Sequence, residues 1–163
     1  MSNVEIFNQI RDAPYRIPLS DMEPNDSCSG KVMRLKKALD QAGLTTRYRL
    51  CDFKWSDLPL PDEVLCVPHS PAATHVYLEV QQGDSWISID PTWDTALSSI
   101  FPIASWDGVS STSIAVAPLK LYSDEESRMI MEEPDAVQNE VDLKINRLFY
   151  EKLNSWLEQQ RTR

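Results

Sequence analysis

The feature that most constrains the fold is a pair of alternating segments near the middle of the chain. Residues 74–81 and 86–90 both alternate apolar with polar side chains, and residues 82–85 between them have the composition of a turn. This pattern predicts an antiparallel hairpin. If the connection has an even number of residues, one face of the hairpin collects the apolar side chains Val76, Leu78, Val80, Ile87 and Ile89.

The same parity places His75 and Asp90 together on the opposite face of the hairpin. A two-residue loop at 82–83 sets His75 directly across from Asp90, and a four-residue loop at 82–85 sets the two on a diagonal. An odd loop would send them to opposite faces, because side chains alternate with a period of two. Both even alternatives bring the imidazole within reach of the carboxylate.

The clearest helix in the first half of the chain runs from Cys28 to Ala42. Asp26 or Ser27 is available as its N-cap, and Gly43 follows at its C-terminal end. An apolar stripe recurs every three or four residues and places Cys28 at its N-terminal end. The stripe consists of Cys28, Val32, Leu35, Leu39 and Ala42, and the remaining surface is expected to carry Lys31, Arg34, Lys36 and Lys37.

Four further segments complete the predicted secondary structure. We expect a short helix at 4–10, strands at 46–53 and 114–117, and a long C-terminal helix. The apolar stripe expected to face the core of that helix consists of Val141, Ile145, Leu148, Phe149 and Trp156. Helices at both ends of an antiparallel run predict an α+β fold, an antiparallel sheet with the Cys28 helix packed against it and a long C-terminal helix. We expect one domain, 1–163, with its core motifs in about 25–95 and a helical segment at about 124–161.

Composition excludes several classes of function. Sixteen basic and 25 acidic residues give a net charge of −9, so we expect neither nucleic acid nor an anionic membrane as a partner. Apolar runs are too short to span a bilayer, and the first residues do not have the pattern of a secretory signal. Three irregularly spaced cysteines are typical of free thiols in the cytoplasm. The acidic run from Asp124 to Asp142 is interpreted as a solvated face.

Cys28, His75 and Asp90 are the candidate catalytic residues. A thiol at a helix N-terminus feels the positive end of the helix dipole, and Lys31 and Arg34 are expected to favour the thiolate further. An imidazole nearby can pair with the thiolate and then protonate a leaving amine, while an aspartate orients the ring. The spacing thus favours a thiol nucleophile, a general acid–base and its orienting carboxylate.

Each of these residues also has a structural interpretation. A cysteine on an apolar stripe is more often a small buried hydrophobe, and an Asp-Pro pair such as Asp90-Pro91 often only starts a turn. Cys51 and Cys66 are expected in the core. A zinc site built from these two cysteines with His69 and His75 is disfavoured, because it lacks paired-cysteine spacing. Three tryptophans, Trp55, Trp93 and Trp106, either pack in the core or line a substrate cleft. Trp93 is the best candidate for the cleft because it follows Asp90 most closely.

At these residues the chain resembles the transglutaminase-like superfamily of papain-type thiol enzymes. The first matching piece is Ser27-Cys28-Ser29-Gly30-Lys31, which leads through Leu35, Leu39 and Gly43 into Thr46-Arg47-Tyr48-Arg49. The second is the strand Thr74–Val80, which contains His75. The third, Trp86–Thr92, resembles the family's strand that ends in Asp-x-Thr. Together the pieces cover about residues 25–95.

The resemblance implies a papain- or transglutaminase-core-like fold with Cys28 as nucleophile, His75 as base and acid, and Asp90 as orienter. It implies a cysteine-dependent acyl transferase, or an amide or peptide hydrolase, with an acyl-enzyme and without cofactor or metal. Ser29 stands where the animal enzymes have tryptophan. The backbone N–H of Cys28 would supply one oxyanion donor, with Asn25 or Tyr15 as the second and Trp93 lining the substrate site.

Two other functions fit the same residues. The first is a binding module that keeps the fold without turnover, which would leave an ordinary, unreactive thiol at Cys28. The second is an arylamine N-acetyltransferase-like enzyme with the same catalytic residues. That family's Arg-Gly-Gly lead-in before the cysteine is absent here, and the chain is short for it.

Overall fold

The fold, obtained as a computed structural model that describes residues 1–133 and 136–163, is mixed α+β. Its helices are α1 (Asn3–Arg11), α2 (Cys28–Gln41), α3 (Asp62–Leu65), α4 (Asp124–Glu132) and α5 (Ala136–Arg161). Its strands are β1 (Thr46–Lys54), β2 (Ala72–Gln82), β3 (Ser85–Ile89) and β4 (Lys120–Leu121). Within the described ranges, none of the helices combines the length and apolarity needed to cross a bilayer.

The four strands form one antiparallel sheet in the order β3-β2-β1-β4. The turn between β2 and β3 consists of the two residues 83–84, because Gln82 pairs with Ser85. It is as short as the two-residue alternative but lies one residue later, and its register is that of the four-residue alternative. Gly83 adopts a φ of 60°, which tight hairpin turns require. The predicted even parity is confirmed. The register that pairs Leu78 with Ile89 is the diagonal alternative for His75 and Asp90.

Both faces of the sheet are covered, which explains why β2 is buried without interruption from His75 to Val80. One face packs its aliphatic side chains against the stripe of α2, namely Val32, Leu35 and Leu39. On the other face, Cys51, Phe53 and Tyr77 belong to one hydrophobic core with the buried side chains of α5, and Trp55 packs between Phe53 and Phe149. The hairpin therefore sits between two cores, and the residues at its open end lie between α2 and α5.

Helix α2 starts where the sequence predicts, with Ser27 as N-cap, but two expectations are wrong: Lys31 is not at the surface and Ala42 is not on the buried stripe. Lys31 is fully buried, because its ammonium reaches two backbone carbonyls inside the protein. Ala42 is exposed, since the helix ends at Gln41 and the chain turns at Gly43, where φ is 88°. The Ser27 hydroxyl does not cap the helix and instead contacts Asn25.

The predicted core stripe of the C-terminal helix is partly wrong. Phe149 and Trp156 are buried, but Val141, Ile145 and Leu148 are 42%, 56% and 68% exposed. The buried side of α5 is rotated toward Asn146, Phe149, Tyr150, Leu153 and Leu157. Asn146 and Tyr150 carry polar groups. A search for apolar residues alone therefore predicts the neighbouring face of α5 as the buried one.

Two further expectations are corrected. Residues 114–117 do not form a strand; the last strand of the sheet is the two-residue β4. The backbone around Ala115 bonds to side chains instead of to a neighbouring strand. Cys66 is exposed rather than in the core, because it caps the end of α3. In the acidic run, α4 presents its acids to solvent, while Asp135 lies outside the described residues.

Candidate active site

Three elements bring Cys28, His75 and Asp90 together at one end of the sheet. Cys28 is the first residue of α2, His75 lies near the start of β2, and Asp90 follows the last residue of β3. His75 Nε2 lies 2.7 Å from Asp90 Oδ2, and both side chains are almost fully buried. The even hairpin parity predicts this contact, and the antiparallel register produces it.

The Asp90 carboxylate receives four hydrogen-bond donors. Oδ1 accepts from the backbone N–H and the hydroxyl of Thr92, and Oδ2 accepts from His75 and from the backbone N–H of Ala115, the last at 2.8 Å. Burial opposes the carboxylate charge, but His75 and these donors outweigh it and lower the pKa of Asp90. The group is therefore a fixed, ionised acceptor for the imidazole.

The His75 ring is oriented by its bond to Asp90. Because Nε2 faces Asp90, Nδ1 is the nitrogen that is available to Cys28. Burial disfavours a charged ring, yet the Asp90 carboxylate and the neighbouring Cys28 raise the pKa of His75 well above its ordinary value. The imidazolium form is thus favoured between a carboxylate and a thiol.

The Cys28 thiol has an environment that favours the thiolate. Burial would raise its pKa, but the hydrogen bond and charge of His75, with the backbone N–H of Val76, lower it. As the first residue of α2, it also lies at the positive end of the helix dipole, and its own N–H has no acceptor within the helix. Cys51 behaves in the opposite way, since burial raises its pKa to about 12.

Tyr15 presents its phenol to the same place. Burial raises the pKa of Tyr15, and the nearby Cys28 raises it further. In the part of the chain that the structure describes, its hydroxyl makes no hydrogen bond within the protein and keeps contact with solvent, although the residue as a whole is only 5% exposed. The backbone of Tyr15 is fixed on both sides, since its N–H donates to Asp94 and its carbonyl accepts from Arg161.

The other two sequence candidates have different roles. The side-chain carbonyl of Asn25 accepts from the N–H and hydroxyl of Ser27, and its amide donates to Ser29, so Asn25 shapes the loop before Cys28. Trp93 packs against Tyr15 with ring centroids 4.8 Å apart and ring planes tilted by 53°, and its indole N–H donates to the Ala115 carbonyl. Among the three candidates, Tyr15 is therefore the one whose side-chain donor makes no hydrogen bond within the described residues and interacts electrostatically with Cys28.

The C-terminal helix contributes residues that sequence reasoning did not select. Arg161 donates two hydrogen bonds to the buried Asp94, which anchors the end of α5 beside Tyr15. Burial and the Asp142 carboxylate raise the pKa of Tyr150, also on α5, and the nearby Cys28 raises it further. Its hydroxyl already donates to Asp142. A polar residue on the buried side of a long helix is the one signal that could have identified Tyr150.

Comparisons with protein-family models, with curated proteins and with solved structures find no match to this chain. Among residues 1–133 and 136–163, His, Cys, Asp and Glu form no group of three or more that could hold a metal ion.

Proposed function

We propose that the protein is a transglutaminase-like thiol enzyme that acts on an amide, peptide or isopeptide through an acyl-enzyme on Cys28. The observation that carries the proposal is the position of His75, held by Asp90 through Nε2 with its other nitrogen available to the Cys28 thiol at the start of α2. An isolated structural thiol does not need an oriented imidazolium. The papain-like core fold belongs to the same proposal.

The reaction follows from the protonation states of the pair. The Cys28 thiolate attacks the carbonyl carbon, and a C–S bond forms as the carbonyl oxygen becomes an oxyanion. The His75 imidazolium gives its proton to the leaving nitrogen, the C–N bond breaks, and the amine departs. Neutral His75 then takes a proton from water or a second amine, which attacks the thioester and restores the thiolate. Asp90 keeps the ring oriented throughout and stabilises its charged form.

The developing oxyanion needs two donors. The N–H of Cys28 at the start of α2 supplies the first, and the Tyr15 hydroxyl supplies the second, since it lies near enough to Cys28 for the two groups to interact electrostatically and makes no other hydrogen bond among the described residues. Asn25 and Trp93 are engaged elsewhere. This choice between the sequence candidates rests on the hydrogen bonds that each one already makes.

We expect Tyr15→Phe to slow acylation by about 10²- to 10³-fold, the usual effect of removing one oxyanion donor. Iodoacetamide should still alkylate Cys28 at the wild-type rate, because displacement of iodide forms no oxyanion. Stopped-flow acylation and alkylation rates measured on one preparation separate the two steps. Tyr48→Phe, a buried phenol in the other core, is the matched control. Equal loss in both reactions would contradict the oxyanion role of Tyr15.

Acyl transfer itself is tested with an activated ester. We expect p-nitrophenyl acetate at pH 7 to release nitrophenol in a burst and to leave one acetyl group on the peptide that contains Cys28. Cys28→Ser should lose the burst, whereas Cys66→Ser, which removes an exposed thiol, should keep it. A binding module without an activated nucleophile gives no burst. If the cysteines are instead acetylated in order of their solvent exposure, with Cys66 first, the proposal is overturned.

A further inference from the structure

Lys31 is a fully buried charged residue that the proposed reaction does not use. It lies three residues after Cys28 and therefore on the same side of α2. Lysine is almost never fully buried unless it is paired, because burial penalises its charge. A methionine would fill the same space without that penalty, so the ammonium needs a specific explanation.

The contacts of the Lys31 ammonium supply one. Nζ donates to the backbone carbonyl of Arg11 at 2.8 Å and to that of Thr92 at 2.9 Å. Arg11 is the last residue of α1, where helix carbonyls lack partners within the helix. Thr92 is the residue whose N–H and hydroxyl both hold Asp90. One side chain thus connects the helix that carries Cys28 with the loop that holds Asp90.

The charged residues around Lys31 do not explain its burial by an ion pair. Burial lowers the pKa of Lys31 to about 8, Asp94 and Asp26 oppose that effect, and Arg161 and Arg34 add to it. Asp94 is hydrogen-bonded to Arg161, and among the described residues Lys31 makes no ion pair within 4.0 Å. Its partners are backbone carbonyls, so its action is on the position of two segments.

We propose that Lys31 is a positioning residue that fixes the loop carrying Asp90 against the first turn of α2, and so sets the contact between His75 and Cys28. The inference rests on the proposed function. Lys31 acts through Thr92, Asp90 and His75 in turn, and it touches neither substrate nor sulfur. Its removal leaves the carbonyls of Arg11 and Thr92 without their donor.

The test compares Lys31→Met with Lys37→Met, which removes an exposed lysine from the same helix. At a temperature where each variant is folded, we expect Lys31→Met to slow iodoacetamide alkylation of Cys28 at pH 6 by about tenfold, as a weaker thiolate would. The downfield ring N–H signal of His75, one of only two histidines, should broaden or shift in ¹⁵N-resolved NMR. Lys37→Met should change neither measurement.

The outcomes separate this inference from the proposed function. A lowered melting temperature with wild-type alkylation and an unchanged His75 signal would show that Lys31 only fills the core. If Lys31→Met does not fold, Lys31→Gln, which keeps one neutral donor, takes its place with the same criteria. If wild-type Cys28 is itself unreactive, the proposed function fails, while the His75 signal still decides whether Lys31 positions the ring.

Discussion

Asp90→Asn should reduce turnover by about 10²- to 10⁴-fold, the upper figure being the effect of the equivalent change in serine enzymes. The physical reason is the set of four donors around the carboxylate. Asparagine removes the negative charge that stabilises the charged ring, and in either orientation its amide nitrogen faces a backbone N–H, that of Thr92 or that of Ala115. With the nitrogen toward Ala115, it also faces His75 Nε2. His75 could then bond it only with Nε2 unprotonated, which moves the ring proton to Nδ1, the side of Cys28.

The four donors around Asp90 also predict that Asp90→Asn lowers the stability of the fold. One buried donor loses its acceptor, which costs about 2 kcal/mol, so the melting temperature alone does not distinguish the catalytic from the turn role of Asp90. The control is Asp107→Asn, since Asp107 lies in an exposed turn and, among the described residues, accepts from Val109 and Ser110 alone. Steady-state rates and the pH profile of Cys28 alkylation provide the readout. Wild-type turnover in folded Asp90→Asn would leave at most a Cys28–His75 pair.

Gly30→Ala should destabilise the protein more than any other substitution that adds one methyl group to a side chain of α2. A Cβ at Gly30 would lie 1.9 Å from the backbone oxygen of Asn25 and 2.6 Å from its carbonyl carbon. Backbone cannot rotate away as a side chain can, so the loop before Cys28 must move. We expect a loss of at least about 3 kcal/mol, measured by urea unfolding, and a melting temperature lower by roughly 6 to 12 °C.

Gly43→Ala provides the contrast for Gly30. A Cβ there meets no atom within 4 Å, but the backbone has a φ of 88°. The expected loss is only about 1 kcal/mol, the strain of a left-handed alanine. If the two substitutions destabilise equally, close approach of Asn25 to Gly30 is not what holds the start of α2. The residual activity of Gly30→Ala, measured where it is folded, reports whether that loop also positions Cys28.

The parts of the fold that the sequence predicts are those with local, periodic causes. Alternation with a period of two determines that His75 and Asp90 share a face, whichever even loop joins the strands. The spacing of Val32, Leu35 and Leu39 likewise determines the buried side of α2. Tertiary contacts then determine which of the two even registers of the hairpin forms.

The parts that the sequence does not predict depend on partners far along the chain. The charge of Lys31 predicts a surface position, but its ammonium donates to the carbonyls of Arg11 and Thr92. Residues 114–117 have the composition of a strand, yet the N–H of Ala115 binds Asp90. In both places a backbone group forms a hydrogen bond with a side chain far along the chain. The residue types alone do not predict such a hydrogen bond.

The central claim is that Cys28 forms a thiolate paired with a charged His75, and a competitive alkylation at pH 6 tests it most directly. Limiting iodoacetamide, followed by mass-spectrometric mapping, ranks the three cysteines by reactivity. A lowered pKa of Cys28 means that its thiolate persists as the pH falls, while the raised pKa of His75 keeps the ring charged. We expect half-buried Cys28 to react before exposed Cys66, with Cys51 unmodified. We expect His75→Gln to abolish that preference. Labelling in order of exposure, with Cys66 ahead of Cys28, would contradict the account.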